Sequence, residues 1–327
     1  MSDHIDWRPA TRDDLPALTA LIRTIQLAEG EKEMVTAEDV EQSFDDSQWY
    51  PATDSLLAWT PDGDLVAQGV VATSGRGRGM LRVMMWGGVR PDWRGRGLGR
   101  HLAEWQIRRA EQRYHESGVT IPGLLEFATE VGHDDERLFR RLGFSPRRYW
   151  FHMDHDLVTI ARPASTGLRV ETYRPELFEP IRQAHNEAFA DHWGSEERSA
   201  EVYREMVTGY PSFCPELSFA ALDGETVAAY LMSFDSELAD PHATPSIHFG
   251  KIGTRKAYRR RGLASSLIAT ALRGARDRGY GHASLGVDAG NATGAVGVYE
   301  KAGFVVGERT VSYGRDLAPM ITIAKPG

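Results

Sequence analysis

The chain reads Arg94-Gly95-Arg96-Gly97-Leu98-Gly99 in its first half and Arg259-Arg260-Arg261-Gly262-Leu263-Ala264 in its second. Both copies fit the pattern Arg-x-x-Gly-x-small. Each follows an apolar run, Met80–Val89 or Ile247–Thr254, and opens an amphipathic helical pattern. In the second copy Leu263, Leu267, Ile268, Ala271, Leu272 and Ala275 recur at helical spacing. A glycine-rich basic turn at a helix N-terminus favours an anion, because free backbone N–H groups and the helix dipole point at it. The repeat therefore predicts a duplicated unit with a phosphate cradle in each copy.

Outward from the loops, the two halves predict the same order of elements. The first half has a strand over Ile5–Pro9, a helix through Leu15, Leu18, Leu21, Ile22 and Ile25, and a helix over Thr36–Phe44. A hairpin follows, Ser55–Trp59 and Leu65–Thr73, turning at Pro61-Asp-Gly-Asp64. After Met80–Val89 come a helix over Gly97–Glu116, a strand over Leu124–Thr129, a helix over Asp134–Leu142 and a strand over Phe144–Met153. The second half repeats this with a strand at Leu168–Thr172, helices at Pro175–Ala190 and Ala200–Val207, and strands at Leu217–Leu222, Val227–Phe234 and Ile247–Thr254. A helix over Gly262–Arg278, a strand over His282–Asp288, a helix over Ala292–Ala302 and a closing strand over Phe304–Tyr313 complete it. The halves are offset by 165 residues at the loop arginine and by 160 at the glycine of Leu142-Gly-Phe144 and Ala302-Gly-Phe304. The expected domains are residues 1–154 and 167–327, joined by a linker at 155–166 where Arg162-Pro-Ala-Ser-Thr-Gly167 breaks the pattern.

Bulk properties narrow the function. The 327 residues suit two domains, and 41% hydrophobic with 26% charged residues is a globular composition. A net charge of −8 argues against a nucleic-acid partner, so the arginine clusters point to a small anion. One cysteine, Cys214, rules out an intramolecular disulfide and a multi-thiolate metal site. No metal is expected. No apolar leader or membrane-length run is apparent, so the expected location is cytoplasmic, with no membrane partner. A Rossmann fingerprint needs glycines at another spacing, and a Walker loop needs a Gly-Lys-Ser/Thr sequence, which is absent.

The motifs resemble the GNAT superfamily of acyl-CoA-dependent N-acetyltransferases. The first half has Val89-Arg-Pro91-Asp-Trp-Arg94-Gly-Arg-Gly97-Leu-Gly99; the second has Thr254-Arg-Lys-Ala-Tyr-Arg259-Arg-Arg-Gly262-Leu-Ala264, without the Val and Pro. The family's later signature is matched by Asn291-Ala-Thr-Gly-Ala295-Val-Gly-Val-Tyr299-Glu-Lys-Ala-Gly303-Phe304. The resemblance covers nearly the whole chain. It implies two tandem domains of α+β class, each a mostly antiparallel twisted sheet with a splayed pair of strands and flanking helices. It is similar to tandem family members whose second domain acetylates a primary amine.

That resemblance implies acetyl-CoA as co-substrate and a small-molecule amine as acceptor, with direct transfer in a ternary complex. Cofactor contacts are expected from Val89, Arg94, Gly95, Arg96, Gly97, Leu98 and Gly99 in the first half. In the second they are expected from Ile252, Gly253, Thr254, Arg259, Arg260, Arg261, Gly262, Leu263, Ala264 and Asn291. Tyr299 is the expected general acid, since a phenol can return a proton to a thiolate. At the matching positions the first half has Phe139 and Val131, so catalysis is expected in the second domain. Candidates for the base are Asp235, Glu237, His192 and His248. His185 is read as a packing residue, and Trp193, Tyr203, Tyr210 and Phe213 as an aromatic acceptor cleft. An N-acyltransferase of secondary metabolism using a longer acyl-CoA and a non-catalytic acyl-CoA-binding module are the alternatives. A monomer or a homodimer is expected.

Overall fold

The computed structural model describes residues 4–31, 33–45, 49–77, 79–190, 197–238, 244–290 and 294–318. The chain divides into two compact units, Met1–Arg147 with Val311–Gly327, and Arg148–Thr310.

Unit 1 begins with β1 (Asp6–Arg8), α1 (Leu15–Glu29), β2 (Glu33–Met34), α2 (Ala37–Ser43) and α3 (Pro51–Asp54). It continues with β3 (Ser55–Trp59), β4 (Leu65–Gly77), β5 (Met80–Val89), α4 (Leu98–Glu116), β6 (Gly123–Glu130) and α5 (Asp135–Arg141). Thr36 caps α2, its side chain accepting from the Asp39 amide at 2.9 Å while the Asp39 carboxylate accepts from the Thr36 amide. The hairpin pairs are antiparallel, and β5 and β6 are parallel. The pairing of β5 with β6 covers only Leu81–Met84 against Gly123–Glu126; beyond it the two strands part. One face of the sheet is covered by α4 through Ala103, Ile107, Ala110 and Tyr114, the other by α1 through Leu18 and Leu21.

Unit 2 repeats the plan. β7 (Ser145–His155) enters it, followed by β8 (Arg169–Thr172), α6 (Phe178–Phe189), α7 (Ala200–Tyr203), β9 (Phe213–Asp223), β10 (Thr226–Leu238) and β11 (Ser246–Thr254). α8 (Leu263–Asp277), β12 (His282–Asp288), α9 (Ala295–Lys301) and β13 (Val305–Leu317) complete it. β11 and β12 pair in parallel only over Ser246–His248 and His282–Ser284, then part as β5 and β6 do. The predicted apolar stripe of α8 is buried: Leu263, Leu267, Ile268, Ala271, Leu272 and Ala275 are each at most 2% exposed. Each large member of such a stripe contributes about 1.5–3 kcal/mol of burial. Leu177, Ile181, Ala184 and Tyr203 cover the opposite face.

The predicted elements occur in the predicted order, with the short β2 and α3 in addition, in mixed α/β units with mostly antiparallel pairing. Three boundaries differ for physical reasons. Residues 204–207, expected as helix, fall in a single π turn over Arg204–Thr208 after α7. The strand expected to close the second half runs on: within β13, Val311 and Tyr313 are buried in the core of unit 1. In return, Met153 of β7 lies in the core of unit 2, and Phe151–His155 pairs antiparallel with Ala283–Val287. The residues expected as linker, 155–166, follow β7 within unit 2. Among the described residues, no helix is long and apolar enough to cross a membrane.

Candidate functional site

The two basic loops have one backbone geometry. Each strand end is followed by a single 3-10 turn, Pro91–Trp93 or Lys256–Tyr258, and then by an extended arginine, Arg94 or Arg259. The next residue is left-handed in both, Gly95 at φ 77° and Arg260 at φ 62°. So is the helix N-cap, Gly97 at φ 87° and Gly262 at φ 75°. Alternation of this kind turns successive amides to one side, and glycine at the cap removes the Cβ penalty. The first helical bonds run from His101 to the Gly97 carbonyl and from Ser266 to the Gly262 carbonyl, both 3.0 Å. The amides of residues 98–100 and 263–265 precede them without an acceptor inside the helix, the kind of helix end that favours an anion. A pyrophosphate fits this arrangement.

Arg94 and Arg259 bond back onto the fold. Arg94 donates to the Val89 carbonyl at 3.1 Å and to Glu29 at 2.7 Å. Arg259 donates to the Thr254 carbonyl at 3.4 Å and the Ala188 carbonyl at 2.8 Å. Each ties the loop to its strand and to the end of the unit's first helix. The rim cations are Arg96, stacked over Trp93 at 4.3 Å, Arg261, over Tyr258 at 5.1 Å, and the exposed Arg260. Leu98 and Leu263 are core anchors of the helices, and a Cβ on Gly99 would meet Val89 at 3.6 Å. Ala264 is half-buried in the first turn of α8.

In unit 2 the parted strand carries Ile252, Gly253 and Thr254 opposite Leu231, Tyr230 and Ala229 of β10. Gly253 is held to glycine by close approach, since a Cβ there would lie 2.5 Å from the Tyr230 ring and 2.7 Å from its hydroxyl. Met232 pairs with Lys251 and Ser233 with Phe249, so Gly250 is bulged out of register. The bulge puts His248 and Lys251 on the same face as Tyr230, Met232 and Phe234, the face covered by α6.

Tyr299 on α9 is 9% exposed and packs in the main core of unit 2, its ring 6.4 Å from Phe304. Burial pushes its hydroxyl up to about 12. Phe139, its counterpart in unit 1, stacks on Phe127 at 4.3 Å, and Val131 is exposed. The base candidates separate. Asp235 accepts from the Tyr280 hydroxyl on the α8 side of the sheet, where Cys214 also lies buried with its thiol pushed up to about 11. His248 stands where β11 and β12 begin to part, with Nδ1 2.9 Å from the Ser284 hydroxyl and its ring stacked 6.2 Å from His152. His192, Trp193 and Asn291 lie outside the described residues, as does the Glu237 side chain.

His185, expected as a packing residue, is buried, and it also forms a pair: its Nδ1 is 2.6 Å from the Tyr230 hydroxyl. Burial holds His185 down to about 3, with Lys251 and Arg198 adding to the effect. Tyr230 is pushed well above its ordinary value by burial beside Tyr203 and Tyr299. Tyr203, expected in an acceptor cleft, is a core residue 5.1 Å from His185, and Phe213 packs edge-on against Tyr173. In the sequence, the Tyr230–His185 pair and the Gly250 bulge are marked only by the glycines at 250 and 253 inside a strand run.

Comparison with known proteins agrees with this geometry. The acetyltransferase (GNAT) family matches residues 178–304. A mycothiol acetyltransferase from Acidothermus cellulolyticus is 30% identical over 233 residues, 66% of this chain and 66% of that protein. A solved GCN5-related N-acetyltransferase from Sphaerobacter thermophilus superposes with a TM-score of 0.73 at 25% identity, covering 97% of both chains. A tandem GNAT protein from the clavulanic acid biosynthesis pathway has the same fold, with a TM-score of 0.69 at 15% identity over 97% of this chain and 100% of that one. The chain belongs to the GNAT family of acetyltransferases.

Proposed function

We propose that this acyltransferase moves an acetyl group from acetyl-CoA to a primary amine of a small molecule, with the chemistry in unit 2. The observation that carries the reading is the combination, in unit 2 alone, of the phosphate cradle, the parted strands and the buried hydroxyl of Tyr299. Unit 1 has the cradle and the parted strands but Phe139 in place of the phenol, which supports a binding or structural role for that unit.

Acetyl-CoA, when bound, supplies an activated thioester. The amides of residues 263–265, with Arg260 and Arg261 at the rim, hold its pyrophosphate. The backbone of Ile252–Thr254, left without a β12 partner, orients the thioester arm and offers N–H groups to the acyl oxygen. One such donor is worth about 3–4 kcal/mol at a developing oxyanion. His248, whose ring is oriented by Ser284, takes a proton from the incoming amine. Tyr299 gives a proton to the departing thiolate; burial keeps it protonated across the working range. Asp235 is committed to Tyr280 on the far face, so it is not assigned to the base role. The likeness to a mycothiol acetyltransferase supports amines related to mycothiol as the first acceptors to try.

The test is thiol release from acetyl-CoA with a panel of primary amines, mycothiol-related compounds included. An acetyltransferase gives amine-dependent release with at least one member and an N-acetyl product by mass spectrometry. Tight acetyl-CoA binding with no release above background for any amine would instead support a binding module.

A further inference from the structure

Lys251 has no role in the reaction as described, yet it stands on the same face of unit 2 as His248, the proposed base. The Gly250 bulge sets its side chain on the same face as His248, one residue before the Ile252–Thr254 backbone. It is half-buried and stands beside His185 and Arg198. Among the described residues its side chain has no hydrogen-bond or ion-pair partner. Drawing an ammonium out of water is costly. Here burial, with the Arg198 cation adding to it, pushes Lys251 below the usual lysine range, toward the neutral amine. A neutral primary amine is what the enzyme acylates.

We propose that Lys251 is an internal acceptor, N-acylated by unit 2 of its own chain when acyl-CoA is bound and no external amine is present. The inference rests on the acetyltransferase reading of unit 2. In the step, the Lys251 Nζ lone pair forms a bond to the acyl carbon and the carbon–sulfur bond breaks. The nitrogen loses one proton and the CoA thiolate gains one, so the products are an amide and a free thiol. No other reactant is needed. The product replaces the half-buried amine by an amide that no longer takes up a proton, and places an acyl group on the face of β11 that carries His248, the proposed base. Acylation therefore lowers turnover of external amines.

The experiment incubates the full chain with acetyl-CoA alone and maps adducts by peptide mass spectrometry, with acetyl-CoA binding followed in parallel by calorimetry. The expected result is one acetyl group accumulating on Lys251 ahead of the exposed Lys256 and Lys301, with CoA as competitor slowing it. Lys251→Arg, which keeps the cation but not the nucleophile, carries no adduct there. Turnover of an external amine falls in step with Lys251 occupancy during preincubation, and this loss is absent in Lys251→Arg. Acetyl-CoA binding with Lys251 unmodified, or with adducts spread equally over the exposed lysines, overturns the inference and leaves the acetyltransferase reading intact. No acetyl-CoA binding overturns both.

Discussion

Tyr299 and Phe139 occupy matching positions, and one hydroxyl separates them. That difference was legible in the sequence because the Gly-Phe landmark fixes the register of both helices. The orientation of the base candidates was not, since Asp235 and His248 are both polar groups on adjacent strands and only the pairing register shows which face each takes. His248→Ala is expected to lower kcat by about 10²–10⁴ while acetyl-CoA affinity stays within a few-fold, measured by steady-state kinetics and calorimetry. Equal loss of binding and turnover would point to misfolding instead. Gly253→Ala forces the Tyr230 ring aside and is expected to cost about 1–3 kcal/mol in denaturant unfolding. His185 gives a pH signature. Its folded value is depressed to about 3 from 6.5, so the unfolded chain binds the proton first. Its stabilising share is complete above about pH 6.5 and is lost as pH falls toward 3, at about 1.4 kcal/mol per pH unit. Unfolding of His185→Phe, followed from pH 7 to 4, is expected to show a shallower acid slope than the parent.

The elements most visible in the sequence are those with a strong period. The α8 stripe, the hairpin turns and the capped start of α2 are local features, fixed by residues a few positions apart. The parting of β5 from β6 and of β11 from β12 is also foreshadowed, by glycines near the strand ends at 87, 88 and 253. The Gly250 bulge is not, because a bulge is a property of two strands and one strand's pattern does not contain it. The loops offer a test at this scale. Gly262 sits at φ 75°, where an added Cβ costs about 1–2 kcal/mol. Gly262→Ala is therefore expected to weaken acetyl-CoA binding by about tenfold, read by calorimetry. An unchanged affinity would remove the cap of α8 from the binding site.

Across the whole molecule, sequence order and compact units do not coincide. Residues 148–155 complete the sheet of unit 2, and residues 311–317 complete that of unit 1. A reading by repeats misses this, because crossing from one unit to the other leaves no break in an alternating strand pattern. Ending the chain at Thr310 removes Val311 and Tyr313 from the unit 1 core, together with the 2.6 Å bond from the Tyr313 hydroxyl to Glu136. Losing one large core aromatic alone costs about 3–5 kcal/mol. Such a chain is expected to become protease-sensitive within residues 4–147, while peptides from unit 2 stay protected. The division of labour between the units is settled most directly by Tyr299→Phe, assayed for amine-dependent thiol release with acetyl-CoA binding measured on the same preparation. The expected result is a fall in turnover of about 10²–10⁴ with binding nearly intact; full turnover in this variant would contradict a catalytic role for Tyr299 and remove the ground for assigning the chemistry to unit 2.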